Sequence, residues 1–339
     1  MEEKQRESDL SNRKQDHIEL AFKADMANQG PDDRFYYEPL LAGHPSNAPQ
    51  NISFLGKTIK APLWVSSMTG GTEKAHAINS RLATACAKYG LGMGLGSCRP
   101  LLDSRDRLKD FDIRSILGPD LPLYANLGIA QVEQLVNNKQ IDRITDLVEL
   151  LRADGLIIHV NPMQEWLQPE GDRILMPPIH TIQQLLTSIS FPVIVKEVGQ
   201  GMGPESILAV LQLPIAAFEF AAHGGTNFSR LELLRSDSNV RNTFDALSQI
   251  GHTAKEMTDW INMLTVDNSS ILCRQFIISG GIKDFLDGYY LMQKLRWPSI
   301  YGMASQFLKY ATESQEALDE FIQRQISGLQ LAHTYLQVK

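Results

Sequence analysis

Short apolar runs bounded by glycine or proline recur along the chain and alternate with segments of helical spacing. Each run is almost continuously apolar, which is typical of parallel strands buried on both faces, whereas a half-exposed strand alternates polar and apolar residues. The pattern predicts eight strands, at residues 62–67, 90–96, 122–126, 155–161, 192–198, 215–221, 275–279 and 299–304.

The segments between these runs carry apolar residues at helical intervals, most clearly at 75–89, 132–135, 141–151, 182–189 and 205–211. Eight parallel strand–helix units predict an α/β fold, a TIM (β/α)8 barrel. We expect residues 62–339 to form this barrel and residues 1–61 to form an N-terminal extension that contributes to the substrate site. A polar stretch at 236–258, within a long insertion after strand six, exceeds an ordinary loop and is expected to form a partly mobile lid.

Polar residues stand at or just after the carboxyl ends of the predicted strands. In a parallel barrel these ends converge on one rim, so positions that are distant in sequence form one site. The rim residues are Ser67, Met68, Thr69, Ser97, Arg99, Asn126, His159, Asn161, Lys196, Glu197, His223, Ser279, Gly280 and Ser305.

Composition narrows the classes of partner. The chain has 339 residues, 43% of them hydrophobic, and a net charge of −7, which indicates a large core and no basic surface for nucleic acid or anionic lipid. Cys86, Cys98 and Cys273 form no C-x-x-C pair, so neither a disulfide framework nor a zinc knuckle is indicated. The charged N-terminus and the lack of a long apolar run favour a soluble, cytoplasmic protein.

Two turns of small residues follow the last two predicted strands, Ser-Gly-Gly at 279–281 and Gly-Met-Ala-Ser at 302–305. In barrels, turns at these places commonly hold a phosphate through backbone N–H groups and a helix N-terminus. Gly280 and Gly281 alone would favour a tight turn without ligand. The two turns together favour a phosphate site.

Taken in order, the rim motifs closely resemble the type 2 isopentenyl diphosphate isomerases, from about residue 12 to about residue 308. The block at 159–173, HVNPMQEWLQPEGDR, is the most specific, whereas each glycine pair alone would be weak. The departures are Cys98, Asn227-Phe228 and Lys283-Asp284-Phe285, which bear on the flavin contacts. The remaining matching motifs are Arg13-Lys14 with His17, 68–71, 96–99, Asn126, 196–199, 224–226 and 279–281.

The resemblance implies a TIM barrel that interconverts isopentenyl diphosphate and dimethylallyl diphosphate in isoprenoid biosynthesis. It further implies proton transfer with reduced FMN as the acid–base cofactor, Mg²⁺ at the diphosphate, NADPH as flavin reductant, and a homo-oligomer, tetramer or octamer. No predicted strand is followed by the dinucleotide-binding motif G-x-G-x-x-G, since the glycines at 199, 201 and 203 have a different spacing. NADPH is therefore expected to bind only transiently.

The resemblance also implies roles for individual residues. Gln164, Glu165 and His159 are the implied catalytic residues, and Glu165 is also the implied Mg²⁺ ligand. The substrate-binding set is Arg13, Lys14, Ser97, Arg99, His159, Asn161 and Gln164. The cofactor-binding set is Ser67, Met68, Thr69, Ser97, Asn126, Lys196, Thr226, Gly280, Gly281, Ala304 and Ser305.

Plainer interpretations stand beside these roles. Lys196 could pair with Glu197 or Glu219, although neighbouring strand residues such as 196 and 197 face opposite ways. Glu165 could be a surface residue and His159 a satisfied core histidine. Trp64 and Trp166 are expected in the core or the wall of the site.

Two other functions fit the fold. An FMN barrel oxidoreductase of the 2-hydroxy-acid oxidase kind would need a histidine and a nearby arginine at the late strands, which residues 279–281 do not provide. A barrel that only binds a nucleotide or partner would not need the dense polar rim with Gln164 and Glu165 beside it.

Overall fold

Eight parallel strands hydrogen-bond in a closed ring in the computed structural model, which describes residues 12–27, 30–46, 51–67 and 73–339. The order around the ring is β10-β11-β4-β5-β6-β7-β8-β9, so the chain runs once around the barrel. The described strands are β1 Phe35–Tyr37, β2 Ile52–Phe54, β3 Lys57–Ile59, β4 Leu63–Val65, β5 Gly92–Gly94, β6 Leu123–Gly128, β7 Gly155–His159, β8 Val193–Lys196, β9 Ala217–Glu219, β10 Phe276–Ser279, β11 Ser299–Met303 and β12 Leu336–Val338.

Helices surround this ring. The first, α1, spans residues 12–20. Those that follow are α2 Glu73–Tyr89, α3 Pro100–Asp103, α4 Arg114–Leu117, α5 Ile129–Asn137, α6 Asp142–Leu150, α7 Pro162–Leu167, α8 Pro178–Leu186, α9 Pro204–Leu211, α10 Phe228–Arg235, α11 Ser238–Phe244, α12 Ala254–Leu264, α13 Phe285–Lys294, α14 Ser305–Glu313 and α15 Gln315–Tyr335. Short 3-10 turns lie at Leu108–Asp110 and Asp245–Gln249.

The predicted barrel is confirmed, and each predicted strand overlaps one strand of the ring. The differences lie at element ends. Strand 215–221 shortens to β9, and just after its end Ala221 takes a left-handed φ of 44°, which interrupts the extended backbone. The helix predicted at 182–189 begins earlier, at Pro178, where a proline fits the first helical turn because its missing N–H is not needed there.

Large side chains fill the barrel, and two glycines make the room. Trp64 is fully buried, and a Cβ at Gly92 would lie 2.5 Å from its ring. A Cβ at Gly94 would lie 2.5 Å from Ile157, which comes from β7. Since real Cβ atoms do not approach so closely, only glycine at 92 and 94 allows these side chains to pack.

The hairpin β2–β3 closes the amino-terminal end of the barrel. Lys57 Nζ donates to the carbonyl oxygens of Pro119 and Leu121 and pairs with Asp154, all just ahead of barrel strands. The Leu55 N–H donates to Gln275 Oε1, just ahead of β10. The carboxyl-terminal rim is left as the accessible end.

The segment predicted as a lid is largely helical. It contains α10, α11 and a 3-10 turn before α12, which packs against α9 in the barrel wall. The insertion after the sixth barrel strand is therefore long because it contains additional helices. The predicted mobility of this segment stays a prediction.

Within the described residues, no helix is both long and apolar enough to span a bilayer.

Arg114 holds together several chain segments at the amino-terminal end of the barrel. Its nearly buried guanidinium pairs with Asp154 at 2.8 Å and donates to the carbonyl oxygens of Arg152, Gly118 and Leu121. All these acceptors lie in loops that lead into β6 and β7. The charge of Arg114 is therefore matched by one carboxylate and three carbonyl dipoles.

Arg114→Ala should lower the free energy of unfolding by about 2 to 4 kcal/mol, because the Arg152 and Gly118 carbonyl groups lose their guanidinium donor, while Asp154 and Leu121 each lose one of their donors. The measurement is urea unfolding followed by circular dichroism. Arg324→Ala serves as control, because Arg324 pairs with Glu320 on an exposed helix face, and it should cost less than about 1 kcal/mol. Equal unfolding midpoints for the two variants would contradict this role of Arg114.

Candidate functional site

A cleft opens at the carboxyl-terminal rim of the barrel, where the sequence places the chemistry. Its cavity volume is about 220 Å³. The structure brings seven predicted cofactor-binding residues to its wall: Ser67, Lys196, Thr226, Gly280, Gly281, Ala304 and Ser305.

One side of the cleft is built from backbone. Helix α14 begins at Ser305, and none of the described side chains caps its N-terminus. Gly280 and Gly281 have φ values of 86° and 72°, and a Cβ at Gly280 would lie 2.1 Å from the Ala222 carbonyl oxygen. Free N–H groups at a helix start beside a glycine turn favour a phosphate, because the helix dipole and the donors both act on an anion.

Lys196 lies across the cleft and is 6% exposed. Its Nζ donates to the Glu197 backbone oxygen at 2.8 Å. No ion pair joins it to Glu197 or Glu219 in the described part of the chain, so the structural ion pair considered from the sequence is not seen. A buried ammonium without a carboxylate is costly, and it favours an anionic or electron-rich ligand beside it.

Glu197 shapes the loop after β8 and does not face Lys196. Its Oε2 accepts from the N–H groups of Gly199, Gln200 and Gly201 at 2.7, 2.6 and 3.0 Å. Burial raises the pKa of this carboxyl above its usual value, and the Gln200 and Gly201 N–H groups, with the charge of Lys196, offset part of that effect. Glu197 is a turn anchor.

Glu219 forms part of the cleft floor and was considered from the sequence only as a partner for Lys196. It is fully buried, and its Oε1 accepts from the hydroxyls of Ser66 and Ser279 at 2.6 and 3.1 Å. Its Oε2 has no hydrogen-bond partner among the residues that the structure describes. The sequence did carry a signal for this residue, because a glutamate inside an otherwise apolar strand indicates a buried carboxylate.

A second group of polar residues stands on α7, next to the cleft. Asn161 Nδ2 donates to Gln164 Oε1 at 3.1 Å and to Glu165 Oε1 at 3.2 Å. Glu165 Oε2 accepts from the Asp172 N–H at 2.8 Å, and Glu165 is only 6% exposed. The alternative that Glu165 is a surface residue is wrong, because both its oxygens are held inside the protein.

Glu232 joins this group and was missed from the sequence. It lies on α10, is 3% exposed, and accepts from Gln164 Nε2 at 3.2 Å and from Arg235 at 2.5 Å. A glutamate three residues before an arginine is ordinary on a helix, so the sequence carried no signal. Only the packing of α10 on α7 brings Glu232 to Gln164.

His159 and Asn126 connect the cleft with α7. The His159 Nδ1 lies 2.7 Å from Asn126 Oδ1, while the Asn126 amide donates to the Leu95 oxygen at 3.0 Å. Burial, with a smaller contribution from the charge of Lys196, lowers the pKa of His159 to about 3. His159 is therefore neutral near pH 7, and the amide oxygen assigns its proton to Nδ1.

Arg99 reaches the same area. Its Nη1 pairs with Asp172 Oδ2 at 2.8 Å, and about half of its side chain is exposed. The Arg99 N–H lies 3.5 Å from the hydroxyl of Ser97, which holds the turn before α3. Arg99 thus presents a cation next to Asp172, whose N–H donates to Glu165.

Two of the predicted substrate-binding residues are not brought to the rim. Arg13 and Lys14 lie on the exposed helix α1, and among the described residues no hydrogen bond or ion pair ties them to the barrel. Met68 and Thr69 lie outside the described residues. The prediction for Trp166 is wrong: it is 63% exposed, and the Arg173 guanidinium lies 4.1 Å from its ring centre. Trp64 is in the core as predicted.

The fold has close parallels among solved structures. A flavocytochrome b2 variant with sulfite bound is similar with a TM-score of 0.60 over 89% of this chain and 72% of that one, at 12% identity. A mandelate oxidase variant with an FMN adduct matches with a TM-score of 0.55 over 91% of this chain and 88% of that one, at 11% identity. At such identities the likeness concerns the fold.

Sequence relatives are much nearer. No family model matches the chain. The isopentenyl-diphosphate delta-isomerase of Rickettsia felis is 35% identical over 323 residues, covering 94% of this chain and 90% of that protein. The enzyme of the same name from Rickettsia akari is 36% identical, covering 94% and 91%. With identity of this level along almost the whole length, the chain belongs to the isopentenyl-diphosphate delta-isomerase family.

Proposed function

We propose that this protein is a type 2 isomerase that interconverts isopentenyl diphosphate and dimethylallyl diphosphate, using reduced FMN, Mg²⁺ and NADPH. The observation that carries the proposal is the cleft itself, with a phosphate-binding backbone on one wall and the buried Lys196 on the other. Reduced FMN supplies a proton donor and acceptor next to the substrate, so the double bond can shift without net oxidation.

The cleft residues fit FMN. The uncapped α14 N-terminus with Gly280 and Gly281 offers N–H groups to the flavin phosphate. Lys196 would hold the anionic edge of the reduced ring, because a buried cation stabilises negative charge most strongly where water is excluded. The other proposed FMN contacts are Ser67, Met68, Thr69, Ser97, Asn126, Thr226, Ala304 and Ser305.

The polar residues around the start of α7, with Arg99 beside them, fit a diphosphate. Arg99 and Asn161 would donate to its oxygens. The neutral His159 gives its Nδ1 proton to Asn126, so its Nε2 can only accept and would contact the diphosphate through a bridging water or a protonated oxygen. We found no cluster of three His, Cys, Asp or Glu side chains within the described residues. This agrees with Mg²⁺ held by one carboxylate, Glu165, together with diphosphate oxygens and water, since Mg²⁺ seldom occupies an all-protein cage.

Gln164 would orient the substrate alkene. An amide is a poor proton carrier, and the buried Glu232 fixes its Nε2 group at 3.2 Å, so that its direction is set before substrate arrives. Gln164 is therefore proposed as an orienting or relaying group.

We further propose the remaining features of the assembly. Residues 1–61 contribute Arg13 and Lys14 to the diphosphate site, NADPH binds transiently over the cleft, and the protein is a cytoplasmic tetramer or octamer. The net charge of −7 supports a site in which local cations meet the diphosphate.

Turnover should require reduced flavin and consume no reductant, because substrate and product are isomers. Anaerobic enzyme with photoreduced FMN should convert isopentenyl diphosphate over many cycles without NADPH, as followed by chromatography of the products. Oxidised FMN is the control and should give no product. Oxidation of one NADPH per product molecule would instead support the alternative function, an FMN barrel oxidoreductase of the 2-hydroxy-acid oxidase kind.

Substitutions at the two ends of the site should separate cofactor from diphosphate. Lys196→Ala should weaken FMN binding by roughly tenfold to a thousandfold, the usual effect of losing one preorganised charged contact.

Glu165→Gln should leave FMN affinity nearly intact and raise the Mg²⁺ concentration needed for activity. Arg13→Ala or Lys14→Ala should raise the KM, by roughly tenfold for each ~1.4 kcal/mol lost.

FMN affinity is measured by flavin fluorescence, and the Mg²⁺ requirement by titration of the isomerase rate. Lys255→Ala, which removes a lysine on the exposed side of α12, is the control and should match wild type in both. An unchanged FMN affinity in Lys196→Ala together with an unchanged Mg²⁺ titration in Glu165→Gln would show that both roles are assigned wrongly.

His159 should stay neutral from pH 5 to 8, with the proton on Nδ1. Its folded pKa is about 3 against an ordinary value of 6.5, so the unfolded chain binds the extra proton first, and stability falls as the pH drops from about 6.5 toward 3. The loss is up to about 1.4 kcal/mol per pH unit in that window. Nitrogen-15 NMR of the imidazole, assigned with His159→Gln, checks this. A titration midpoint near pH 6 would contradict it.

A further inference from the structure

The segment 168–176, between α7 and α8, is held to the barrel by a buried carboxylate on α5. Glu133 is 3% exposed. Its Oε1 accepts from the Met176 N–H at 2.7 Å and the Leu175 N–H at 3.2 Å, and its Oε2 accepts from the Leu175 N–H at 3.0 Å. Buried glutamates are rare unless their charge is compensated, and here the compensating donors are backbone groups of this segment.

The same helix holds the segment at a second point. Gln131 is 5% exposed, and its Nε2 donates to Asp172 Oδ2 at 2.8 Å. Asp172 in turn pairs with Arg99 through the same oxygen, and its N–H donates to Glu165 Oε2. The position of the segment therefore sets the direction of both the Arg99 guanidinium and the Glu165 carboxylate.

The segment has no regular secondary structure after Gly171, and two prolines at the start of α8 follow at once. At its start a Cβ at Gly171 would lie 2.0 Å from the Glu165 carbonyl oxygen, so the chain passes close to α7 there. Its own side chains add three contacts, because Glu170 pairs with Arg235, Arg173 lies over the Trp166 ring and Ile174 packs against the core. Gln131 and Glu133 add the hydrogen bonds that join the segment to α5.

We propose that Glu133 is a positioning residue of the isomerase site: by anchoring residues 175 and 176 it keeps Asp172 in place, and thereby orients Arg99 and Glu165 toward the diphosphate and its metal ion. Glu133 touches neither substrate nor metal itself. The inference rests on the proposed function for the roles of Arg99 and Glu165, while the anchoring of the segment stands independently of it.

Limited trypsin digestion tests the anchor in the resting protein, without flavin or substrate. Arg173 lies in the segment and is exposed, but its peptide bond is cleaved only when the segment opens, so the rate follows the open population. Glu133→Ala should accelerate cleavage after Arg173 by roughly tenfold or more. Glu149→Gln, which removes an exposed charge on the neighbouring α6, should cleave as wild type.

Cleavage after Lys139, in the exposed turn two residues beyond the end of α5, reports whether that end of the helix loosens. If Glu133→Ala accelerates both cuts equally, the comparison passes to Glu133→Gln, which keeps the volume and one acceptor oxygen and should accelerate the Arg173 cut alone by a few fold. Wild-type rates at Arg173 in both Glu133 variants would overturn the anchor.

The second measurement asks whether the anchor matters to the site. Glu133→Gln should raise the Mg²⁺ concentration for half-maximal isomerase rate, and the KM, by severalfold to roughly tenfold, while kcat at saturation stays near wild type. Faster cleavage at Arg173 with unchanged Mg²⁺ titration and KM would show that Glu133 only stabilises the segment, which overturns the positioning role. A wild-type protein without isomerase activity would refute the proposed function, and the digestion alone would then decide for or against the anchor.

Discussion

Closure of eight parallel strands into one ring is the constraint on which everything else in this molecule depends. A parallel ring leaves no free edge, and it sends every strand out toward the same rim. Lys196 of β8, Glu219 of β9 and Ser279 of β10 are neighbours for this reason alone. The other end, sealed by the β2–β3 hairpin and the Arg114 bonds, carries the stability of the fold, so that the rim is free to hold strained and polar groups.

The rim reconciles an acidic chain with an anionic ligand. With a net charge of −7, the protein as a whole repels anions. The site counters this over short distances, with the buried Lys196 and the free N–H groups at the start of α14 in the cleft, and Arg99 on its flank. In a medium of low dielectric constant these few groups outweigh a distant and screened surface charge.

The barrel could be predicted from the sequence because a parallel strand buried on both faces appears in the sequence as a continuous apolar run. The sequence also located Lys196, Asn126, His159 and Glu165, since each stands at a strand end or in a specific motif. It could not find Glu232 or Glu133, because their importance comes from contacts between elements far apart in the chain. Trp166 was misplaced because composition makes a tryptophan look like core, whereas here its ring lies under Arg173 at the surface.

The two hydrogen bonds that occupy Glu165 have a consequence for the order of events. A cation arriving alone has to displace the Asp172 N–H or the Asn161 amide from the carboxylate, and it recovers only one negatively charged ligand in exchange. A cation arriving with a diphosphate brings its own anionic oxygens and faces the same displacement once. If Glu165 holds the metal ion as proposed, binding of metal and diphosphate would therefore be synergistic, each raising the affinity for the other by an equal factor. The chain would then discriminate against free metal ions without a dedicated gate.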